Sequence, residues 1–442
     1  MKNIVFKTKF DECKNLNEIV KKIDNNFFTN ISYKLLNLWI FYPLLMMFIT
    51  YKFNSTISRN IMFYLLIFIG VIGLIVGILK IIKTKEKNIG IILGMLLLIW
   101  CLITSLFSNN YDLAFTGELY RREGFETYLL YGGIFLLGSL INDKNMEKLI
   151  KNLLFVEVVL GVIALVNNDI TYKLMNNQMA YTAIFSNINH YGYYLMFGII
   201  LSIYMYLNSK KIYKILYIVI YIFLLHVLLL NDTFGSFISV SLTLFLIILY
   251  YLIKRKNIKE LVFIIIGFIL ITSLTFKNNE NICYKNFKSI FNDAKVVNKS
   301  LNKKNENNNV NKIDKIGSSR GELWKYGIKF IKQKPIIGHG IESTYILYSN
   351  NGIFQTRPHN ILIQFGVFTG IPGIILYLSF VMSIIIKKLK NINKINELSL
   401  FCLGVVICYF ISSQFGNSMF YTTPYYMIFL GFMSKNNKKE LN

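Results

Sequence analysis

Arginine is scarce beside lysine in this chain, and four arginines sit close to polar motifs. Arg121 and Arg122 head the run Arg121-Arg122-Glu123-Gly124, Arg320 lies four residues before Trp324, and Arg357 precedes Pro358, His359 and Asn360. A guanidinium meets phosphate oxygens with two parallel donors and stays charged, and the match gains strength beside low-dielectric lipid. These arginines are therefore candidate contacts for a diphosphate. His359, between a proline and an apolar run, can accept a proton near neutral pH. His190, in Asn187-x-Asn189-His190-Tyr191, has a similar place. Plainer readings stand beside these: arginines that anchor at an interface or pair with Glu123 or Glu322, and histidines bonded to backbone at helix starts. His339 reads as a loop residue between two glycines, and His226 as a packing residue. Glu157 is a carboxylate inside an apolar run, functional by default or structural with Lys151.

No Walker loop, HExxH, GxSxG or DxD-type cluster occurs, so neither a nucleotide site nor a metal site is expected and no cofactor is called for. Cys13, Cys101, Cys283, Cys402 and Cys408 form no CxxC pair, which indicates neither a disulfide framework nor a metal centre.

What must position these residues is membrane. The 442 residues are 54% hydrophobic and only 16% charged, with a mean hydropathy of +0.47, where soluble domains carry about 25% charged residues. Apolar runs of helical span length recur along the chain. The sequence predicts an all-α, polytopic helical bundle of about 12 transmembrane helices with one large extracytoplasmic loop. Residues 1–34 read as a cytoplasmic tail that is polar and lysine-rich, with no secretory signal expected there. Nine spans follow within 35–276, the large loop covers 277–360, three more spans lie in 361–433, and 434–442 is a second cytoplasmic tail. The first part of the large loop is Asn/Lys-rich, a composition expected to stay mobile. Its second part carries a predicted amphipathic helix, Arg320–Gln333. Leu323, Trp324, Ile328 and Ile331 share one face and Lys325, Lys329 and Lys332 the other, which predicts a helix lying on the membrane surface. Lys334-Pro335 ends it.

The formal charge of +25 does not point to nucleic acid. The lysines cluster in alternate short loops, which is the positive-inside pattern. That asymmetry puts both termini inside and the loops around 108–126, 167–190, 231–235, 277–360 and 414–423 outside. All the unusual polar residues then fall on one outer surface.

Taken together, Arg320-x3-Trp324, Pro335-x2-Gly338-x-Gly340 and His359-Asn360-x5-Gly366-x3-Gly370, in a large outer loop followed by a membrane helix, resemble the O-antigen ligase and polymerase superfamily. The Arg121–Gly124 loop and the Asn187–Gly192 stretch look like that family's recurrent outer-loop patterns. Asn231–Ser236 falls where many members carry a Thr/Ser-Arg-Gly turn; the arginine is absent here, and Arg121 or Arg122 is the candidate to replace its phosphate contact. The resemblance covers about residues 60–430. It implies a metal- and nucleotide-independent inverting glycosyltransferase of the cytoplasmic membrane, its site facing outside. Such an enzyme joins a polyprenyl-diphosphate-linked glycan donor to a sugar acceptor, with polysaccharide-export or chain-length proteins as further partners. It implies catalytic roles for Arg320 and His359. Substrate contacts are implied for Arg121, Arg122, Asn187, Asn189, His190, Trp324, Arg357 and Asn360. The competing class is a lipid-linked glycan flippase or other polysaccharide transporter, which should concentrate charges within its spans; a non-catalytic membrane scaffold is the third.

Overall fold

The computed structural model describes residues 16–52, 55–85, 87–166, 183–185, 187–277, 285 and 316–435. Much of the two terminal tails, most of the 167–190 loop and the Asn/Lys-rich part of the large loop lie outside the described residues.

Among the described residues the protein is all-helical. In chain order the helices are α1 (Leu16–Lys22), α2 (Asn25–Lys52), α3 (Ser55–Thr84), α4 (Ile89–Leu106), α5 (Tyr111–Thr116), α6 (Phe125–Leu140), α7 (Asp143–Val166) and α8 (Ile188–Asn208). They continue with α9 (Lys211–Asn231), α10 (Phe234–Ile253), α11 (Ile258–Phe276), α12 (Ile316–Gln333), α13 (Thr344–Asn350), α14 (Ile361–Lys390), α15 (Glu397–Ser412) and α16 (Thr423–Ser434). Eight are long and apolar enough to cross a membrane: α3, α4, α7, α9, α10, α11, α14 and α15. The other four predicted segments are also helical, as parts of α2, α6, α8 and α16. Of these, α6 and α16 are short, with 16 and 12 residues. α8 is buried along nearly its whole length, which lets it carry five tyrosines that a lipid-facing helix would not favour.

Two devices set the frame for the site. The first is the close seating of α6. Its Gly133 faces Gly70 and Gly73 of α3 with no room for a side chain on either, and Gly431 of α16 approaches Phe135 from the other side. Small residues let helix backbones approach in a membrane, where packing replaces the hydrophobic drive. The loop carrying Arg121–Gly124 enters directly from this clamped helix.

The second device is a break in α14. Gly370 has φ +69° and ψ −173°, a conformation that favours glycine, and Pro372 follows. Proline has no N–H, so the break strands carbonyls one turn back. Each finds a donor elsewhere. His339 N donates to Val367 O at 2.8 Å and Gly340 N to Phe368 O at 2.9 Å. The Trp100 indole donates to Thr369 O at 2.8 Å. In return Ile371 N donates to Pro335 O at 2.7 Å. The Pro335–Gly340 motif is thus the cap of a broken membrane helix, and it ties the large loop to the bundle.

α12 differs from its sequence expectation. Leu323 and Phe330 are buried against Tyr348, Ile353 and Val367, with Trp324 and Ile331 packed around them, and Ile328 is 47% exposed. Helical periodicity gave an apolar face, and the face that buries is centred on Leu323 and Phe330 because α13 and the start of α14 supply a partner for it.

Candidate functional site

Asn360 caps α14: its side chain accepts from Leu362 N and Ile363 N, both at 3.0 Å. An asparagine oxygen there satisfies donors that the first helical turn leaves free. The Asn360 amide also donates to Gln414 O at 3.2 Å, so it ties the loop before α16 to the start of α14. His359 stands immediately before this cap with φ +51°. Its Nδ1 lies 3.3 Å from the side-chain amide of Asn417. Burial, followed by the guanidiniums of Arg320, Arg121 and Arg357, pushes its pKa down to about 4. Removal from water and nearby positive charge both disfavour the imidazolium. These causes keep the ring neutral at pH 7.

Arg320 reaches this ring through Trp324. The indole N–H donates to Pro358 O at 2.9 Å. Residues four apart share a helix face, so clamping Trp324 to the residue before His359 brings Arg320 beside the ring and beside Tyr193 of α8. Tyr348 fixes the same helix, its hydroxyl donating to Leu323 O at 2.6 Å.

Arg121 and Arg122 separate. Arg122 is in the left-handed region, φ +49°, and adjacent side chains there diverge. Its guanidinium donates to Asn60 Oδ1 at 2.8 Å and lies 4.9 Å from the Phe63 ring centre, so it fastens the loop to α3. Arg121 turns inward, with a buried terminal nitrogen that has no hydrogen-bond partner. Burial lowers its pKa against the pull of Glu118.

Arg357 is fully buried. It forms an ion pair with Glu342, itself buried, and its Nη1 donates to Ser418 O at 3.1 Å. Burial brings its pKa down to about 10, with Arg121 adding to the drop and Glu123 opposing it. Glu123 accepts a hydrogen bond from Tyr131; burial raises its pKa while Arg357 works the other way. With its charge met by Glu342, Arg357 reads as the pin of the site.

The remaining residues named from sequence divide. His190 is buried, 3.2 Å from Thr422 Oγ1, within electrostatic reach of Arg121, Arg357 and His359. Asn187 caps α8, accepting from Asn189 N at 2.9 Å, and Asn189 is half-buried on the first turn. The 231–235 turn joins the same end of the bundle: Thr233 Oγ1 donates to Ile188 O at 2.9 Å, and Gly235 packs on Phe415. Glu157 lies elsewhere, against Gly198 in the packing of α7 on α8. His339 serves the joint at α14, with Nε2 3.0 Å from Phe330 O.

Three residues of this cluster were not singled out from sequence: Glu342, Asn417 and Ser418. Glu342 is 15 residues from its arginine, and the other two lie in a loop with no charged residue to draw attention.

The cluster holds three guanidiniums, and among the described residues the one ion pair they form is that of Arg357. Arg121 and Arg320 are left to meet an anion from outside. An apolar cavity of about 330 Å³ is lined by Ile361, two residues past His359, and by none of the three arginines. It extends from Ile78, Met95 and Ile99, which are exposed on the bundle surface, to Tyr128, Tyr131 and Ser418. Tyr131 bonds Glu123, and Tyr128 and Ser418 both lie 3.4 Å from the Gln364 amide. Guanidiniums whose neighbours Tyr131 and Ser418 line an apolar cleft suit an amphiphile with a charged head.

No curated protein matches this chain. The model of one family, described as O-antigen ligase, matches residues 219–378, which contain Arg320, Arg357 and His359. That match, with the apolar helices, supports a transmembrane protein of polysaccharide biosynthesis in the O-antigen ligase and polymerase superfamily.

Proposed function

We propose that this protein is a membrane glycosyltransferase that polymerises or ligates a surface polysaccharide carried on a polyprenyl diphosphate, acting on the outer face of the cytoplasmic membrane. The observation that carries the reading is the pair of guanidiniums, Arg121 and Arg320, that form no ion pair among the described residues and flank a neutral imidazole whose segment runs into the wall of an apolar cleft at Ile361. In this reading the prenyl chain lies in the cleft and the diphosphate between Arg121 and Arg320. The acceptor hydroxyl attacks the anomeric carbon, and the bond from that carbon to the phosphate oxygen breaks. The proton passes to His359 and the diphosphate leaves on its lipid, with inversion at the carbon. Fixed positive charge where the leaving group gains its negative charge is the main catalytic contribution. Alignment of acceptor with donor comes second, and a placed base adds about 10²–10⁴-fold. Arg357 and Glu342 hold the floor, and Trp324 sets the distance between Arg320 and His359.

The test is transfer by purified protein in nanodiscs, given a lipid-linked oligosaccharide and a sugar acceptor. Products longer by donor units, or glycan moved to the acceptor, with release of prenyl diphosphate, are expected. Arg320→Lys keeps the charge and loses the two-point contact, so kcat/KM should fall by about tenfold or more. Wild-type protein that moves intact donor across the bilayer without consuming it, or an Arg320→Lys variant with full transfer, refutes the reading.

A further inference from the structure

His359 does not meet the site alone. The loop between α15 and α16 folds over it and is held there by three residues of the His359 segment. Arg357 donates to Ser418 O at 3.1 Å, Asn360 to Gln414 O at 3.2 Å, and Gln364 lies 3.4 Å from Ser418 Oγ. Gly416 packs directly on Tyr193. What these bonds place is Asn417, whose amide nitrogen is 3.3 Å from His359 Nδ1. The Asn417 carbonyl oxygen is buried and has no hydrogen-bond partner, a costly state for a polar atom.

A half-turn about the last torsion of Asn417 exchanges nitrogen and oxygen at almost the same positions. The orphaned oxygen then accepts the proton on His359 Nδ1. The consequence for the ring is chemical. With Asn417 donating, Nδ1 is the acceptor and the single proton of the neutral ring sits on Nε2, which can then only donate. With Asn417 accepting, the proton sits on Nδ1 and Nε2 keeps its lone pair. A base must have the second arrangement, because the hydrogen bond made by one ring nitrogen fixes what the other can do.

We infer that Asn417 is the positioning residue for His359: its side-chain oxygen holds the Nδ1 proton and leaves Nε2 as the atom that takes the proton from the acceptor hydroxyl. This rests on the proposed transferase reading. Among the described residues, the charged and titratable groups facing His359 are Arg121 from the α5–α6 loop, Arg320 from α12, Arg357 from its own segment and His190 from α8; none of these is a carboxylate able to do this in place of Asn417.

The experiment compares His359→Ala, Asn417→Ala and Asn417→Asp in purified protein with lipid-linked donor, measuring kcat, donor KM, the pH profile of kcat and thermal stability. Asn417→Ala should lose at least about tenfold in kcat with donor KM within about threefold, because a base out of place costs rate more than binding. Asp can only accept from Nδ1–H, so Asn417→Asp should recover most of kcat at pH 8. Its negative charge also favours the imidazolium, so the acid limb of its profile should move up by about one pH unit or more. A purely structural role predicts equal loss in both variants with an unmoved limb. That result, or no loss in Asn417→Ala, overturns the inference while a dead His359→Ala leaves the transferase reading standing. Full transfer by His359→Ala removes the base and this inference with it, while the transfer itself leaves the transferase reading standing.

Discussion

The depressed basicity of His359 gives the sharpest quantitative expectation. The ring's ordinary value is 6.5, and burial with three guanidiniums takes it to about 4; the difference is about 3 kcal/mol of preference for the neutral form. The perturbation to apply is Arg320→Gln, which removes one of the three charges without changing the fold around Trp324. The assay is the pH dependence of transfer between about pH 3.5 and 8 in nanodiscs. For kcat/KM, which reports the free enzyme, the wild-type acid limb should lie near pH 4, and Arg320→Gln should raise it by about 0.5–1 unit. For kcat, which reports the loaded enzyme, the limb should lie higher than for kcat/KM, because a bound diphosphate offsets the guanidiniums and restores basicity to the ring. The sign for stability follows from the same values. The unfolded chain takes up this proton as pH falls through about 6.5 and the folded protein only near 4, so acidification across that window removes up to about 3 kcal/mol of stability through this ring. A wild-type kcat/KM limb at pH 6.5, unmoved by Arg320→Gln, would refute the buried, cation-flanked His359.

Three further outcomes are expected. Gly370→Ala puts a side chain into the Ile336 carbonyl in a left-handed conformation, so it should cost about 1–3 kcal/mol in thermal unfolding of purified protein; an unchanged midpoint would mean α14 does not break there. Glu342→Gln leaves the Arg357 charge buried without its partner and should destabilise by about 3–5 kcal/mol, whereas Glu342→Leu with Arg357→Met should recover much of that loss, read as membrane level and melting temperature. On the expected topology, a thiol from Asp112→Cys should react with an impermeant reagent in intact cells and one from Lys254→Cys should not; the reverse pattern would invert the protein in the membrane.

Much of the frame was legible because lipid imposes a simple demand: an apolar run long enough to span must be helical. A helix occupies each of the runs the sequence marks off. Arg320, Trp324, Gly338, Gly340 and His359 were visible as a motif, since residue type and spacing are local. What that motif does was less visible. His339 looked like a loop residue, yet its N–H and that of Gly340 close carbonyls stranded at the break in α14, a partnership across the chain. Arg121 and Arg122 looked equivalent, and a single positive φ sends one inward and the other to Asn60. The resemblance implied substrate contacts for Asn187 and Asn360, and their side-chain oxygens are engaged in capping α8 and α14. The Glu342–Arg357 pair and Asn417 depended on which loops meet over the bundle, and no local pattern encodes that.

The joint between the large loop and α14 has an evolutionary consequence. His339, Gly340 and Ile371 make it with main-chain atoms, and those bonds are the same whatever side chains the neighbours carry. Exposed side chains of the following segment, such as Tyr345 and Phe354, can therefore change without loosening its mooring, while Glu342, Tyr348 and Ile353 are held by their buried partners and Gly338 and Gly370 by geometry. A glycan-handling protein must follow changes in the sugars it meets. Here a change at those exposed positions leaves the main-chain attachment intact, so new surfaces can be tried without rebuilding the membrane core.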